Sequence, residues 1–281
     1  MKQIGTPVTD NAHLSSLSRG LMAAAAAVFG LLGLVMFVAP AWSAAHFPWK
    51  ISTLVGMTMG GWYLGSAAMA GLVVYHRRWN LIYASALYVG VFGVSEAAVL
   101  VVHNDKLKLE AALAWPYIGM LALAILASAS VLLDWARQRP KLADEGLPAP
   151  RWVRVIVVAF VVFVFLLAGV AFSGHWTGLK GVIFPEPLTL FTLRSFGAFY
   201  FSLAVSALAF WRVRRLAAVT VHVRGGLTMI VLITAAALVY RGSFDFTEHP
   251  FQSIYLGVYL AAMLLALFYL WYERARRVYS K

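Results

Sequence analysis

FPWKISTLVGMTMGGWYLGSA, residues Phe47–Ala67, returns in altered form as FPEPLTLFTLRSFGAFYFSLA, residues Phe184–Ala204. Setting Phe47-Pro48 on Phe184-Pro185, a shift of 137 positions, places Gly60 on Gly197, Gly61 on Ala198, Trp62 on Phe199 and Tyr63 on Tyr200. The same register carries Arg77-Arg78 onto Arg214-Arg215. With one residue inserted farther along, Glu110, Tyr117 and Gly119 meet Glu248, Tyr255 and Gly257, so the pattern E-x6-Y-x-G occurs twice. Three matches in one order point to an internal repeat.

What surrounds the repeated segment decides its setting. Hydrophobic residues make up 62% of the 281 positions and charged residues only 12%, which is a membrane composition. A helix needs about 20 mostly apolar residues to cross a bilayer. The chain offers eight such runs, near 20–39, 53–75, 80–102, 112–133, 152–172, 188–211, 218–240 and 251–271. Four runs fall in each half, and an even number returns the chain to its starting side, so the repeats are parallel rather than inverted. The expected fold is all-α: a polytopic integral membrane protein with eight transmembrane helices in two parallel four-helix repeats. Residues 1–140 form the first repeat, 141–150 a cytoplasmic linker, and 151–281 the second repeat. The first run ends near Ala39-Pro40-Ala41, a faint cleavage-site pattern. Its length and its counterpart in the second half favour an uncleaved helix.

The net charge of +12 suggests a polyanion partner until its distribution is considered. With the N-terminus inside, the inner segments hold seventeen of the 23 basic residues and five acids, an excess equal to the whole net charge. This is the positive-inside pattern, with both termini cytoplasmic in a plasma (inner) membrane. It leaves no basic domain for nucleic acid. The basic stretch 211–226 reads as topology anchoring at the lipid headgroups.

The paired small residues Gly60-Gly61 and Gly197-Ala198 sit inside predicted helices. Glycine costs helix propensity there but lets backbones approach, so the motif reads first as a packing device. Two charged residues fall well inside predicted spans: Glu96, about seven residues before the outer end of the third, and Arg194, about six into the sixth. At about 1.5 Å per residue both lie roughly 10 Å below the outer boundary. Charge in hydrocarbon is costly and is normally offset by a partner or a wet cavity. Glu96 and Arg194 are therefore expected to meet, directly or through a ligand, between the repeats. The alternative is that Arg194 snorkels outward while Glu96 is protonated or bonded locally. Tyr63 and Tyr200 lie nearby in depth, and Asp245 and Glu248 just outside, so the candidate ligand-binding set is Glu96, Arg194, Tyr63, Tyr200, Asp245 and Glu248.

Other chemistries find little footing. The absence of cysteine removes disulfides, thiolate metal sites and cysteine nucleophiles. The outer histidines lack the i, i+3 or i+4 spacing of helical metal ligands, and neither H-E-x-x-H nor G-x-S-x-G occurs. No catalytic group, metal or cofactor is expected, and an enzyme is the less favoured class. The expected function is a multi-pass protein that binds or transports a small molecule, ion or lipid in the outer half of the repeat interface. A non-catalytic subunit or assembly factor of a membrane complex, with membrane-protein partners, is the alternative. A second alternative is an intramembrane enzyme modifying a lipid or quinone through Asp245, Glu248 or His249.

Overall fold

A computed structural model of the chain describes residues 13–76, 78–140, 148–177, 184–210 and 216–279. Arg77, Arg214, Arg215, most of the expected linker and the start of the basic stretch 211–226 lie outside the described residues. Among the described residues the fold is helical: α1 (Ser16–Val38), α2 (Pro40–His46), α3 (Thr53–His76), α4 (Trp79–Val102), α5 (Ala114–Gln138), α6 (Arg151–Ser173), α7 (Leu190–Leu208), α8 (Leu216–Val239) and α9 (Gln252–Tyr279). All but α2 are long and apolar enough to cross a bilayer.

Local chemistry sets several of these ends. Ser15 caps α1 by accepting from the Ser18 amide at 3.2 Å, so the helix starts four residues before the apolar run. Thr189 caps α7 by accepting from the Thr192 amide at 3.2 Å, and the Ser52 hydroxyl accepts from the Val55 amide at 3.2 Å at the start of α3. The short α2 is an element the hydropathy reading lacks. Pro40 cannot continue α1 but is well suited to the first turn of a new helix, so the chain restarts at a different angle.

The two ends of the bundle are tied differently. At one end the Ser15 amide donates to Asp134 at 2.9 Å and Gln138 donates to the His13 carbonyl at 2.9 Å, joining the start of α1 to the end of α5. At the other, the Lys108 and Leu113 amides donate to the Pro48 and His46 carbonyls at 2.8 and 3.1 Å. We call these the arginine-rich end and the His103 end.

Packing places α3 and α7 at the centre: 67% of the apolar window of each is buried, against 11% for α9. α3 packs on α1, α4 and α8, and α7 packs on α4 and α6. The glycines account for the closeness. A Cβ on Gly60 would lie 2.6 Å from the Phe37 amide nitrogen, and one on Gly33 would lie 2.8 Å from that of Leu64, so α1 and α3 cross backbone to backbone. On its next face α3 presents Gly61 and Gly65 to α8, where added Cβ atoms would meet Ile233 at 3.3 Å and Met229 at 2.4 Å. Trp62, between these faces, stacks on Phe199 of α7 with centroids 4.2 Å apart and planes inclined by 4°.

The four helices of the first half close on themselves, since α1 packs on both α3 and α5. In the second half α6 packs on α7 and α9 on α8. α6 meets α9 through Trp152 against Phe268 and Tyr272, at the arginine-rich end.

Because backbone atoms rather than side-chain tips face Gly60, Gly60→Val is expected to destabilise the protein by the upper part of the ~1–3 kcal/mol typical of overpacking. Gly71→Val, with open space around its Cβ position, is expected to change little beyond helix propensity. Thermal unfolding of the two variants in one detergent separates these outcomes.

Candidate functional site

Glu96 sits on the α4 face that turns toward α5. Gly90 and Gly93, at intervals of three along that face, let α5 approach: added Cβ atoms would lie 2.7 Å from Ser128 and 3.1 Å from Ala124. The approach brings Tyr117 of α5 to the carboxyl. Glu96 is 1% exposed, and the Tyr117 hydroxyl donates to its Oε1 at 2.5 Å. The Tyr63 ring lies 6.2 Å from that of Tyr117, and the Ser195 hydroxyl of α7 stands beside the carboxyl. Glu96 Oε2, Tyr63 Oη and Ser195 Oγ are all buried without a hydrogen bond of full geometry. The nest thus combines α3, α4, α5 and α7.

Arg194 takes other partners. Its Nη1 donates to His103 Nε2 at 3.2 Å and its Nε to the Phe172 carbonyl at 3.3 Å. Phe191, one turn earlier on α7, stacks on the His103 ring with centroids 4.9 Å apart and stacks on Trp49 at 4.0 Å. An arginine only donates, so His103 accepts through an unprotonated Nε2. Burial first, and then the neighbouring guanidinium, hold the His103 imidazole below the usual histidine value. Among the described residues Glu96 and Arg194 form no ion pair within 4.0 Å. Arg194 takes its partners from His103 and Phe172, and Glu96 takes Tyr117, so the two turn to different neighbours.

The remaining expected residues divide. Asp245 Oδ1 accepts from the Thr247 and Glu248 amides at 3.1 and 3.0 Å, and its own amide donates to Gln252 at 2.8 Å, so it shapes the turn before α9. Glu248 is exposed on that turn. Tyr200 lies instead on the wall of a half-open cavity of about 290 Å³ between α6, α7, α8 and α9.

This cavity is absent from the sequence reading. Its lining on α6 runs from Trp152 to Ala171, which at about 1.5 Å per residue is roughly 28 Å. Among the described residues no acidic side chain, lysine or arginine lines it. Its polar side chains are three tyrosines near the His103 end (Tyr200, Tyr255 and Tyr259), Trp152, Trp176, Tyr269 and His222. The buried His222 ring is held between Ser85 of α4 at 3.2 Å and Ser206 of α7 at 3.4 Å, so its two nitrogens are both occupied. Of the six expected site residues, Tyr200 alone lines the cavity. The sequence signal that leads there is the second E-x6-Y-x-G, whose tyrosine is Tyr255.

Comparison of the chain with protein-family models, with curated proteins and with solved structures finds no match.

Tyr117→Phe removes the short donor to a buried carboxyl and is expected to cost ~1–3 kcal/mol, whereas Phe92→Leu, an apolar exchange beside the nest, lacks that component. Thermal unfolding of Tyr117→Phe in the Glu96→Leu background tests it, because the loss should shrink once the carboxyl is gone. For His103 the sign is set by a folded pKa below the unfolded value near 6.5. Between the two values the unfolded chain binds more protons, so stability is full above about pH 6.5 and is lost as pH falls through the folded value. His103→Gln, which keeps an acceptor for Arg194 and cannot titrate, is expected to flatten the fall in Tm between pH 7 and pH 5.

Proposed function

We propose that this chain is a multi-pass membrane protein of two parallel four-helix repeats that binds an apolar small molecule of the lipid class between α6, α7, α8 and α9. The observation that carries this reading is the cavity: about 290 Å³, lined along most of a helix length by apolar and aromatic side chains and, among the described residues, by no charged one. An apolar space of this size left unpacked between helices forfeits dispersion contacts that an apolar guest would restore. Its volume lies near the lower end of ligand pockets, which are typically about 300 Å³ and larger. The absence of a cation or carboxylate on the wall favours an uncharged occupant. Binding is the activity that one cavity supports.

The repeat is supported by the helix limits. α3 and α7 begin at Thr53 and Leu190, and α4 and α8 run from Trp79 to Val102 and from Leu216 to Val239. Short 3-10 turns follow at Asn104–Lys106 and Arg241–Ser243. Each of these pairs is separated by the same 137 positions as Phe47 and Phe184. The crossings between halves are reciprocal too, with α3 on α8 and α4 on α7. The orientation we propose puts the arginine-rich end and both termini in the cytoplasm of an inner-membrane protein, on the distribution of basic residues.

Purification of the full chain in mild detergent, followed by native mass spectrometry and organic extraction, tests the reading. The wild type is expected to retain one uncharged chain-bearing molecule at fixed stoichiometry. Ala262→Trp, which fills the cavity from a half-buried position on α9, is expected to lose it while remaining monodisperse. A wild type that carries only exchangeable bulk phospholipid would sink the proposal, and co-purification of a fixed protein partner with an empty cavity would favour the subunit reading.

A further inference from the structure

The two halves hold equivalent tyrosine pairs and treat them differently. In the 137-residue register Tyr63 corresponds to Tyr200 and Ser195 to Thr58, and with the single insertion Tyr117 corresponds to Tyr255. Each pair is met by the hydroxyl residue of the opposite half. Ser195 of α7 stands beside the carboxyl that Tyr117 binds, and Thr58 of α3 stands beside Tyr255. The halves therefore interlock through α3 and α7.

What differs is the acceptor. In the first half the Tyr117 hydroxyl donates to Glu96 at 2.5 Å. The position equivalent to Glu96 in the second half is Ile233, which carries no oxygen and lines the cavity. Tyr255 is 5% exposed, Thr58 is 1% exposed, and their hydroxyls are both buried without a hydrogen bond of full geometry. Tyr259 packs on Tyr255 with ring centroids 4.9 Å apart, and Tyr200 completes the group on the same wall. The polar groups set against the Tyr255 hydroxyl are the Thr58 and Tyr259 hydroxyls, which approach it without reaching full hydrogen-bond geometry; a buried phenol held only by such loose contacts is costly, and nearly all such groups in folded proteins find a well-placed partner.

We infer that the ligand supplies the missing oxygen: an uncharged carbonyl-bearing head group accepts from the Tyr255 hydroxyl, and its apolar chain runs along the cavity toward Trp152. The head takes the place that the Glu96 side chain occupies in the first half. It is uncharged because, among the described residues, no cation on the cavity wall would balance a carboxylate or phosphate. The chain direction follows from the position of Tyr255 and Tyr259, in the first two turns of α9, with the cavity continuing along the same helix as far as Tyr269. Two sources share this chemistry, a quinone on an isoprenoid or alkyl tail and a neutral glycerolipid ester. This inference rests on the cavity being a ligand site.

The test uses full-length protein in nanodiscs of synthetic phospholipid, with three tritiated probes: decylubiquinone, dioctanoylglycerol and hexadecane. The wild type is expected to bind one of the two oxygen-bearing probes more tightly than hexadecane, and the one it prefers identifies the source. Tyr255→Phe, which removes one oxygen and keeps the ring, is expected to weaken that probe about three- to tenfold, with a smaller loss for Thr58→Val. Hexadecane is expected to bind wild type and Tyr255→Phe alike, which also reports an intact cavity. Equal affinity of wild type and Tyr255→Phe for the oxygen-bearing probes, or no preference over hexadecane, would overturn the inference and leave the cavity as an apolar-ligand site. Failure of the wild type to hold any of the three would remove the cavity reading and this inference together. Should Tyr255→Phe lose hexadecane as well, Thr58→Val decides: its undiminished affinity for the oxygen-bearing probe counts against the hydroxyl site.

Discussion

The arrangement hangs on how closely α3 approaches its neighbours. Gly60 admits the backbone of α1 on one face, while Gly61 and Gly65 admit α8 on the next. Without a hydrophobic force between helices in lipid, such contacts stabilise through dispersion between closely apposed atoms. They also fix rotation. With two faces of α3 committed, Trp62 is aimed at Phe199, and the near-parallel stack of the two rings sets α7 against α3. Only with α7 in that position does Ser195 reach the Glu96 nest, and only with α3 in that position does Thr58 reach Tyr255. Burial of the polar groups is thus a consequence of glycine placement in the middle of a helix.

Hydropathy and the repeated Phe-Pro segment made the eight long helices legible, because span length is fixed by composition alone. Helix limits were legible less well where a cap or a proline intervened, as at Ser15, Thr189 and Pro40. Glu96 and Arg194 were legible as unusual, and their common depth suggested a pair. Depth along the membrane is readable from residue number; rotation about the helix axis is set by packing. Arg194 turns toward His103 and Phe172, while its neighbour Ser195, about 100° farther around α7, faces Glu96. One residue of rotation decided the partner.

The cavity was not legible because it arises from what does not pack. α1 and α5 close the first half, whereas α6 and α9 diverge from their contact at Trp152; α6 is the most apolar of the eight spans, but hydropathy does not say which faces stay unpacked. His222 was passed over for a related reason: near a helix end it reads as interfacial, yet Ser85 and Ser206 reach it from two other helices. Tyr117 and Tyr255 were visible as a repeated pattern, but a repeated tyrosine reads as packing until one of the two is seen to lack an acceptor.

Divergence between the halves gives the proposed function its physical logic. A carboxyl buried at the Glu96 position is costly in a membrane, and the first half offsets that cost with Tyr117 and with close packing of α1 on α5, which leaves no room for a guest. Ile233 at the equivalent position removes the charge and its cost, but it strands the tyrosine that the carboxyl would have satisfied. A closed second half would then carry an unpaired phenol for no return. An open one lets an oxygen from outside the chain complete the hydrogen bond, while the hydrocarbon attached to it fills the space between α6 and α9. On this reading the open seam and the orphaned hydroxyl are two aspects of one substitution, and the first half serves as the rigid reference against which α7 and α8 are held in place.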